Sequence, residues 1–462
     1  MRKFGTPIII KFTFKNLGYV DQGSIELGDM TLICGPNNVG KTWLNYAMYG
    51  LLKDYPFIAS FNLEPEIFKN LKEHGTAKLS LTDYAGKLDQ ILKNMSDRFS
   101  HNLGKYFNTD SDLMSKARVG LKLENYTLDL SENIHRVVRL GRKDVLLVSK
   151  EAGDNTLIVT LQDTDSDLPE PAIIDIVERE LARTLLGACI LTPFVLTSER
   201  TGISLFYKEL DLSKNILVEH LSDSSKKGIN PFKLLNSMRS RYAEPIKDNI
   251  DIIRDTDNIA KKKSFLKEDK AGEYKPVFDT LREIIGGGFK TVNDQVLYQP
   301  VKERNRDKTA LPIYLASSSI KSLFLLDLYI NSIAEKNSVL IIDEPELNLH
   351  PDKQRQMAKL LTRLVNAGIK VVMTTHSDFL VREINNRIML NVDFKGRSHL
   401  MKEHKMVKED ILRPEQVKAY TVHSDHKVHQ LEVTEEDIDT DVFDQKIEDA
   451  NALQDDIYYQ MY

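Results

Sequence analysis

The 462-residue chain contains only two cysteines and one tryptophan. Cys34 and Cys189 each have an apolar neighbour and show no metal-ligand spacing. Neither a disulfide framework nor a zinc site is expected, and a reducing cytoplasm is the simple compartment. Long hydrophobic runs are also missing. The stretch IIIKFTF near the start is interrupted by Lys11, and nothing else approaches membrane-spanning length. Lys3 and Phe4 lead straight into that strand-like stretch, so no secretory leader is expected. No sign of charge dominates: 63 Lys and Arg face 68 Asp and Glu, a net charge of −5. That balance excludes a polycation built to coat nucleic acid and still allows a local basic patch. Internal repeats, low-complexity tracts and the sustained heptads of a coiled-coil arm are absent too.

What is present is an ordinary globular composition, 41% hydrophobic and 28% charged, in a chain too long for one simple core. Strand-like IIIKFTFKNLG and MTLIC precede a Gly-rich turn and a helix from about Lys41. Residues 55–118 are mostly helical in pattern, with LDQILKNMSDRF amphipathic. GLKLENYTLDL and DVLLVSKEAGDNTLIVTLQD alternate like strands, with EAGDN a hairpin turn. IDIVERELARTLLG reads as a helix and ACILTPFVLT as a buried strand. Residues 203–290 read as a polar helical insert. TVNDQVLYQP and TALPIYLA read as a strand pair joined by the charged loop VKERNRDK. The expected division is 1–55, 56–187 (a helical and β-meander lobe), 188–202, 203–290, 291–425 and an acidic tail at 426–462.

Chemistry concentrates in four places. GPNNVGKT, Gly35 to Thr42, satisfies G-x-x-x-x-G-K-[ST] between a strand and a helix. Small residues let the backbone N–H groups of Gly35, Asn37, Asn38, Val39 and Gly40 curl round a polyphosphate in a loop that also holds Pro36. Lys41 reaches the β- and γ-phosphates, Thr42 holds Mg²⁺, and Trp43 completes the set. VLIIDEPELNLHP buries a strand that ends in Asp343, a Mg²⁺ ligand, and Glu344, a general base for water. VVMTTHSD ends a second buried strand beside His376, placed to hydrogen-bond the γ-phosphate. ASSSIK puts Ser317, Ser318 and Ser319 at a helix start. They serve as an anion site facing the nucleotide of a second copy, or simply as redundant caps.

These motifs, in this order, resemble the soluble branch of ABC-type ATPases, which includes the ATPase half of OLD nucleases, the recombination and SMC ATPases, and several phage-defence ATPases. The resemblance covers 1–55, about 188–202 and 290–425. It implies an α/β ABC-type head with a mixed or parallel P-loop sheet, a β-rich subdomain and a helical insert. It also implies ATP and Mg²⁺ as cofactors and a homodimer that sandwiches ATP. LTSERTG is similar to a Pro-Ala-Glu-Arg-like turn of that branch, which makes Arg200 a phosphate or interface residue. Two features depart from the pattern: Ser319 stands where glycine is usual, and no Q-loop glutamine is evident.

After His376 only residues 377–462 remain, and Asp439–Thr440–Asp441 follows no buried strand, so no TOPRIM nuclease domain is expected here. A stand-alone ATPase of this kind is similar to the AriA subunits of PARIS anti-phage systems. The resemblance implies a larger oligomer of dimers that holds a separate TOPRIM-type, AriB-like nuclease. A phage-encoded acidic DNA-mimic protein triggers its release. Alternatives are a Septu-type ATPase partnered with an HNH nuclease, a DNA-binding SMC- or recombination-like repair ATPase, and a nuclease with its own metal site. Direct DNA binding and membrane association are not expected. Lys261, Lys262, Lys263, Lys267, Lys270, Lys302, Arg304, Arg306 and Lys308 offer an acidic partner or DNA a landing surface, or form a solvated charged face. His423, His426 and His429 recur every third residue on a strand-like segment, which sends them to different faces and argues against a metal site. The YYQMY terminus offers aromatics for docking on a neighbour.

Overall fold

The computed structural model describes residues 7–110, 112–141, 143–162, 169–207, 242–292, 295–301, 310–439, 452 and 454–460. The chain divides into two compact units. The first takes residues 1–26, 47–104 and 110–193. In it, β1 (Ile9–Leu17) pairs antiparallel with β2 (Val20–Glu26) on one side and with β5 (Arg118–Glu124) on the other. β1 alternates: Ile10, Phe12 and Phe14 are buried and the residues between them are partly open, the period-two pattern of a sheet with one covered face. β5 is the edge strand, and the helix Leu88–His101 covers its free amides. That helix buries Leu88, Ile91, Leu92, Met95 and Phe99 on one stripe, and the hydroxyls of Ser96 and Ser100 accept from Leu121 N and Val119 N. A second sheet runs β4 (Thr76–Ser80), β8 (Thr156–Leu161), β7 (Lys143–Lys150), β6 (Ile134–Leu140), all antiparallel, with β7 and β8 flanking the expected EAGDN turn. The first two strands therefore belong with the β-rich lobe, not with the P-loop segment as the 1–55 boundary supposed.

The second unit takes 27–46, 105–109 and 194–462. Its six-stranded sheet runs β16 (Val428–Leu431), β15 (Val417–Val422), β3 (Met30–Cys34), β14 (Lys370–Thr375), β13 (Ser338–Asp343), β9 (Thr192–Leu196). The pairs β15–β3, β3–β14 and β14–β13 are parallel, and β15–β16 is an antiparallel hairpin. β3 and β13 are buried at every position, and β14 at all but its first. Continuous apolar runs of this kind belong to central strands covered on both faces. This is the α/β fold with a mixed, largely parallel P-loop sheet that the motifs implied.

Two segments differ from expectation. The described part of the 203–290 insert does not form a separate body. Ile250, Ile253, Leu266, Val277, Leu281, Ile284 and Ile285 enter the same core as β3, β13 and β14, because the helices Glu244–Arg254 and Lys275–Ile285 are amphipathic rather than polar all round. The expected strand pair around VKERNRDK is also shifted. β10 (Gly287–Val292) and β11 (Gln295–Pro300) already form a hairpin within GGFKTVNDQVLYQP. TALPIYLA supplies only β12 (Leu311–Pro312) and a 3₁₀ turn at Ile313–Leu315. The two prolines, Pro300 and Pro312, restrict further pairing at these ends.

Candidate active site

Three parallel neighbours, β3, β14 and β13, deliver their C-terminal ends to one edge, where open α/β sheets bind ligands. After β3, Gly35, Asn38 and Gly40 adopt φ of 135°, 65° and 103°, which curls the chain before the helix Lys41–Ile58 begins. At Gly35 a Cβ would stand 2.7 Å from the Val422 carbonyl oxygen, so only glycine lets the loop leave β3 against β15. Such a curl followed by a helix N-terminus is a cradle for a polyphosphate. Lys41 is 7% exposed, and its Nζ donates to the Gly35 and Pro36 carbonyls at 2.9 and 2.7 Å. Burial lowers the ammonium pKa, and the carboxylates of Glu344 and Asp343 oppose that shift.

The helix that follows the loop meets β13 at Asp343. Thr42 Oγ1 donates to Asp343 Oδ2 at 2.9 Å, joining residues 301 positions apart. The Thr374 hydroxyl, from the neighbouring strand, donates to Asp343 Oδ1. Burial raises the Asp343 pKa, and these two hydroxyls act against it. Asn45 Nδ2 lies 3.5 Å from Asp343 Oδ1, and Asn45 Oδ1 is buried without a hydrogen-bond partner among the described residues. A hard-oxygen pair, Thr42 and Asp343, beside an orphaned amide oxygen fits Mg²⁺, which takes one or two protein oxygens and completes its shell with water and phosphate.

Glu344 follows at φ 50°, a left-handed conformation uncommon for a side chain this long. Its amide donates to the Thr374 carbonyl at 3.2 Å. Its Oε1 lies 3.4 Å from His376 Nδ1, and this contact holds the Glu344 pKa below and the His376 pKa above their ordinary values. A second acid enters here. Glu346 is 5% exposed and its Oε1 accepts from Thr375 Oγ1 at 2.8 Å and from the His376 amide at 3.1 Å. A phosphate cradle, a hydroxyl–carboxylate pair for a divalent cation, a carboxylate base and an imidazole thus occupy one sheet edge.

A family model described as an AAA ATPase domain, AAA_15, matches residues 8–381. The chain belongs to this family. No curated protein matches the sequence. Among solved structures, this AAA_15 ATPase is similar to the Smc head domain with an extended coiled coil bound to the C-terminal domain of ScpA, from Pyrococcus furiosus. Identity is 13%, the match covers 98% of this chain and 100% of that one, and the TM-score is 0.33. It is also similar to the SMC head domain from Thermotoga maritima, at 12% identity, 92% and 99% coverage, and a TM-score of 0.29. Overlaps this low carry no further structural argument. Among the described residues of this AAA_15 ATPase, no helix is long and apolar enough to cross a membrane.

Other expected site residues fall elsewhere. Arg200 is buried instead of being turned to a phosphate or an interface. Its side chain is 2% exposed and donates to four backbone carbonyls: Ser322 at 3.2 Å, Thr197 at 3.0 Å, Asp343 at 2.7 Å and Glu344 at 2.6 Å. It braces the Asp343–Glu344 turn from behind and offers no face to phosphate or to a partner. Burial pushes its pKa down to about 10, so it stays charged at neutral pH. Trp43 stacks on Phe107 with ring centroids 4.5 Å apart. Ser317 is the N-cap of the helix Ser318–Leu328, accepting from Ile320 N at 3.4 Å and lying 2.9 Å from the Ser319 hydroxyl. Ser317 and Ser318 are exposed, so the caps leave these hydroxyls open to solvent. Lys261, Lys262, Lys263, Lys267 and Lys270 are exposed, with Lys267 Nζ on Asn331 Oδ1 at 3.1 Å. Lys302, Arg304, Arg306 and Lys308 lie outside the described residues, as do Thr440, Asp441 and Tyr462. His429 closes the β15–β16 turn on Asp425 at 2.8 Å.

Thr374, Asn45 and Glu346 were missed from sequence. A signal was available for two of them: Glu346 is the second acid of DEPE, and Thr374 opens the TTH that carries His376.

Proposed function

We propose that this AAA_15 protein hydrolyses ATP between two copies of itself and uses the resulting change of assembly to hold or release a partner. The single observation that carries the reading is the Thr42–Asp343 hydrogen bond, because it joins the P-loop to the acidic strand end where a nucleotide-bound cation would sit. Mg²⁺ held there would neutralise charge on the β- and γ-phosphates. Lys41, released from the Gly35 and Pro36 carbonyls, binds those phosphates. Glu344 accepts a proton from water as the water oxygen bonds to the γ-phosphorus. The bridging oxygen leaves with ADP as its bond breaks. His376 donates to the γ-phosphate.

The two-copy arrangement is supported by the open hydroxyls of Ser317 and Ser318 and by Tyr314 and Leu315 just before them, which are 51% and 62% exposed. In this reading each copy lends its serine turn to the nucleotide on its partner's P-loop, through an isologous interface. The finer role rests on the motif resemblance: a sensor and scaffold in a PARIS-type anti-phage system, in larger oligomers of dimers. There it holds a separate TOPRIM-type nuclease and responds to an acidic DNA-mimic protein of the phage.

The test is Glu344→Gln. It should retain ATP, lose at least about 100-fold in turnover and show a doubled mass by light scattering with Mg²⁺ and ATP. Wild-type turnover would remove Glu344 from the mechanism. A gel shift with plain duplex DNA separates the scaffold reading from a repair ATPase.

A further inference from the structure

Glu346 is the acid that the mechanism above does not use. It is 5% exposed, and it is half satisfied. Oε1 carries two hydrogen bonds, from Thr375 Oγ1 and the His376 amide, while Oε2 is buried with no hydrogen-bond partner among the described residues. A buried carboxylate oxygen without a partner is unfavourable and rare in native structures. A further negative charge close to a polyphosphate cradle is unfavourable as well. A carboxylate kept there calls for a role that outweighs both.

The neighbouring histidine supplies one. His376 Nδ1 lies 3.4 Å from Glu344 Oε1 and 3.7 Å from Glu346 Oε1. One ring nitrogen therefore has two carboxylates within reach, and only the Glu346 contact is longer than a formed hydrogen bond. The shorter contact is to Glu344. A base whose oxygen is turned towards an imidazole is not free to take a proton from water. For His376 to donate to a γ-phosphate through Nε2, its Nδ1 side needs an acceptor that fixes the ring, as carboxylates do behind functional histidines.

We infer that Glu346 is a positioning residue that takes His376 over from Glu344 when nucleotide binds, so that the imidazole faces phosphate and the Glu344 carboxylate turns to water. This rests on the reading of Glu344 as the base. Glu346 is already anchored to the backbone of His376, so the exchange needs only a small rotation of the ring or of the carboxylate.

The discriminating variant is Glu346→Gln. Its amide oxygen can still accept from Thr375 and the His376 amide, so a purely structural role is preserved. Its NH₂ cannot accept from Nδ1. The expected result is a fall in kcat of about 10- to 100-fold, the usual effect of losing a partner behind a functional histidine. The Kd for ATP, measured by fluorescent-nucleotide titration, and the Tm should stay unchanged. Glu346→Asp, which keeps an acceptor, should recover part of kcat. In a His376→Ala background, Glu346→Gln should cause no further loss, because the two act as one unit. Wild-type kcat in Glu346→Gln overturns the inference, as does an undiminished effect in the His376→Ala background or a loss that comes with a lowered Tm. Glu344→Gln run alongside separates the two failures. If it is inactive while Glu346→Gln is normal, only the role of Glu346 falls. If it is active, the base assignment falls and the inference with it.

Discussion

Replacing Arg200 with Met removes a buried guanidinium of similar length and leaves four carbonyls facing an apolar side chain. The contacts run from 2.6 to 3.2 Å and end on the β9 turn, the serine helix and both acidic residues. Hydrogen bonds to a charged donor are worth about 1.5–3 kcal/mol each in net terms. Four bonds sharing one group are not additive, and the burial that depresses the Arg200 pKa offsets part of the gain. The loss should therefore be about 3–5 kcal/mol, the range seen when one partner of a buried charge network is removed. For a unit of this size that corresponds to a fall in Tm of roughly 6–20 °C. Thermal unfolding followed by intrinsic fluorescence measures it. Below the new transition, ATP affinity should hold while kcat drops about 10-fold, because the left-handed backbone at Glu344 has lost its brace. An unchanged Tm with a tenfold weaker Kd for ATP would refute this account and restore Arg200 as a phosphate ligand.

Further perturbations test the rest of the site. Lys41→Ala should lower ATP affinity at least 10-fold by titration, since its ammonium is the charge nearest the cradle; unchanged affinity would contradict the phosphate assignment. Asp343→Asn should raise the Mg²⁺ concentration needed for half-maximal turnover several-fold, read from a metal titration at saturating ATP. The His376–Glu344 contact adds a pH dependence. The raised His376 pKa contributes stability that is full below its unfolded value and is lost as pH rises through the folded one. The depressed Glu344 pKa contributes stability that is lost as pH falls through its folded value. The Tm gap between wild type and His376→Gln should therefore be widest in mildly acidic to neutral buffer and narrow on both sides; a gap constant with pH would show that the pair is not ionised.

The sheet edge was legible because each of its parts is local. GPNNVGKT needs a strand before it and a helix after it, and both are written in neighbouring residues. The apolar runs VLII before Asp343 and VVM two residues before His376 read as buried central strands. The placement of β1, and of β2 paired to it, was not legible, because the second partner of β1, β5, lies about a hundred residues downstream and strand pairing at that distance leaves no mark in either segment. The helices of 242–285 read as polar by composition, although each carries an apolar stripe. Ile250, Ile253, Val277, Leu281 and Ile284 are few among many charges, yet all face the core. Arg200 misled for a related reason. The resemblance of LTSERTG to a family turn points Arg200 to phosphate or an interface, whereas it spends its donors on carbonyls that sequence cannot show to be near. Glu346 is not legible because its partners, the Thr375 hydroxyl and the His376 amide, lie at the end of another strand about thirty positions away.

The clasp of ATP between two copies can be tested with single cysteines in the Glu344→Gln background, one at Asn37→Cys in the P-loop and one at Ser318→Cys in the serine turn. Both positions are exposed, while Cys34 and Cys189 are buried with thiols pushed up to about 12 and about 11 and should stay silent. When the two variants are mixed, a short bifunctional cross-linker should join them into a heterodimer only in the presence of Mg²⁺ and ATP. Cross-linking indifferent to nucleotide, or none under any condition, would contradict the claim that the nucleotide is held between two chains.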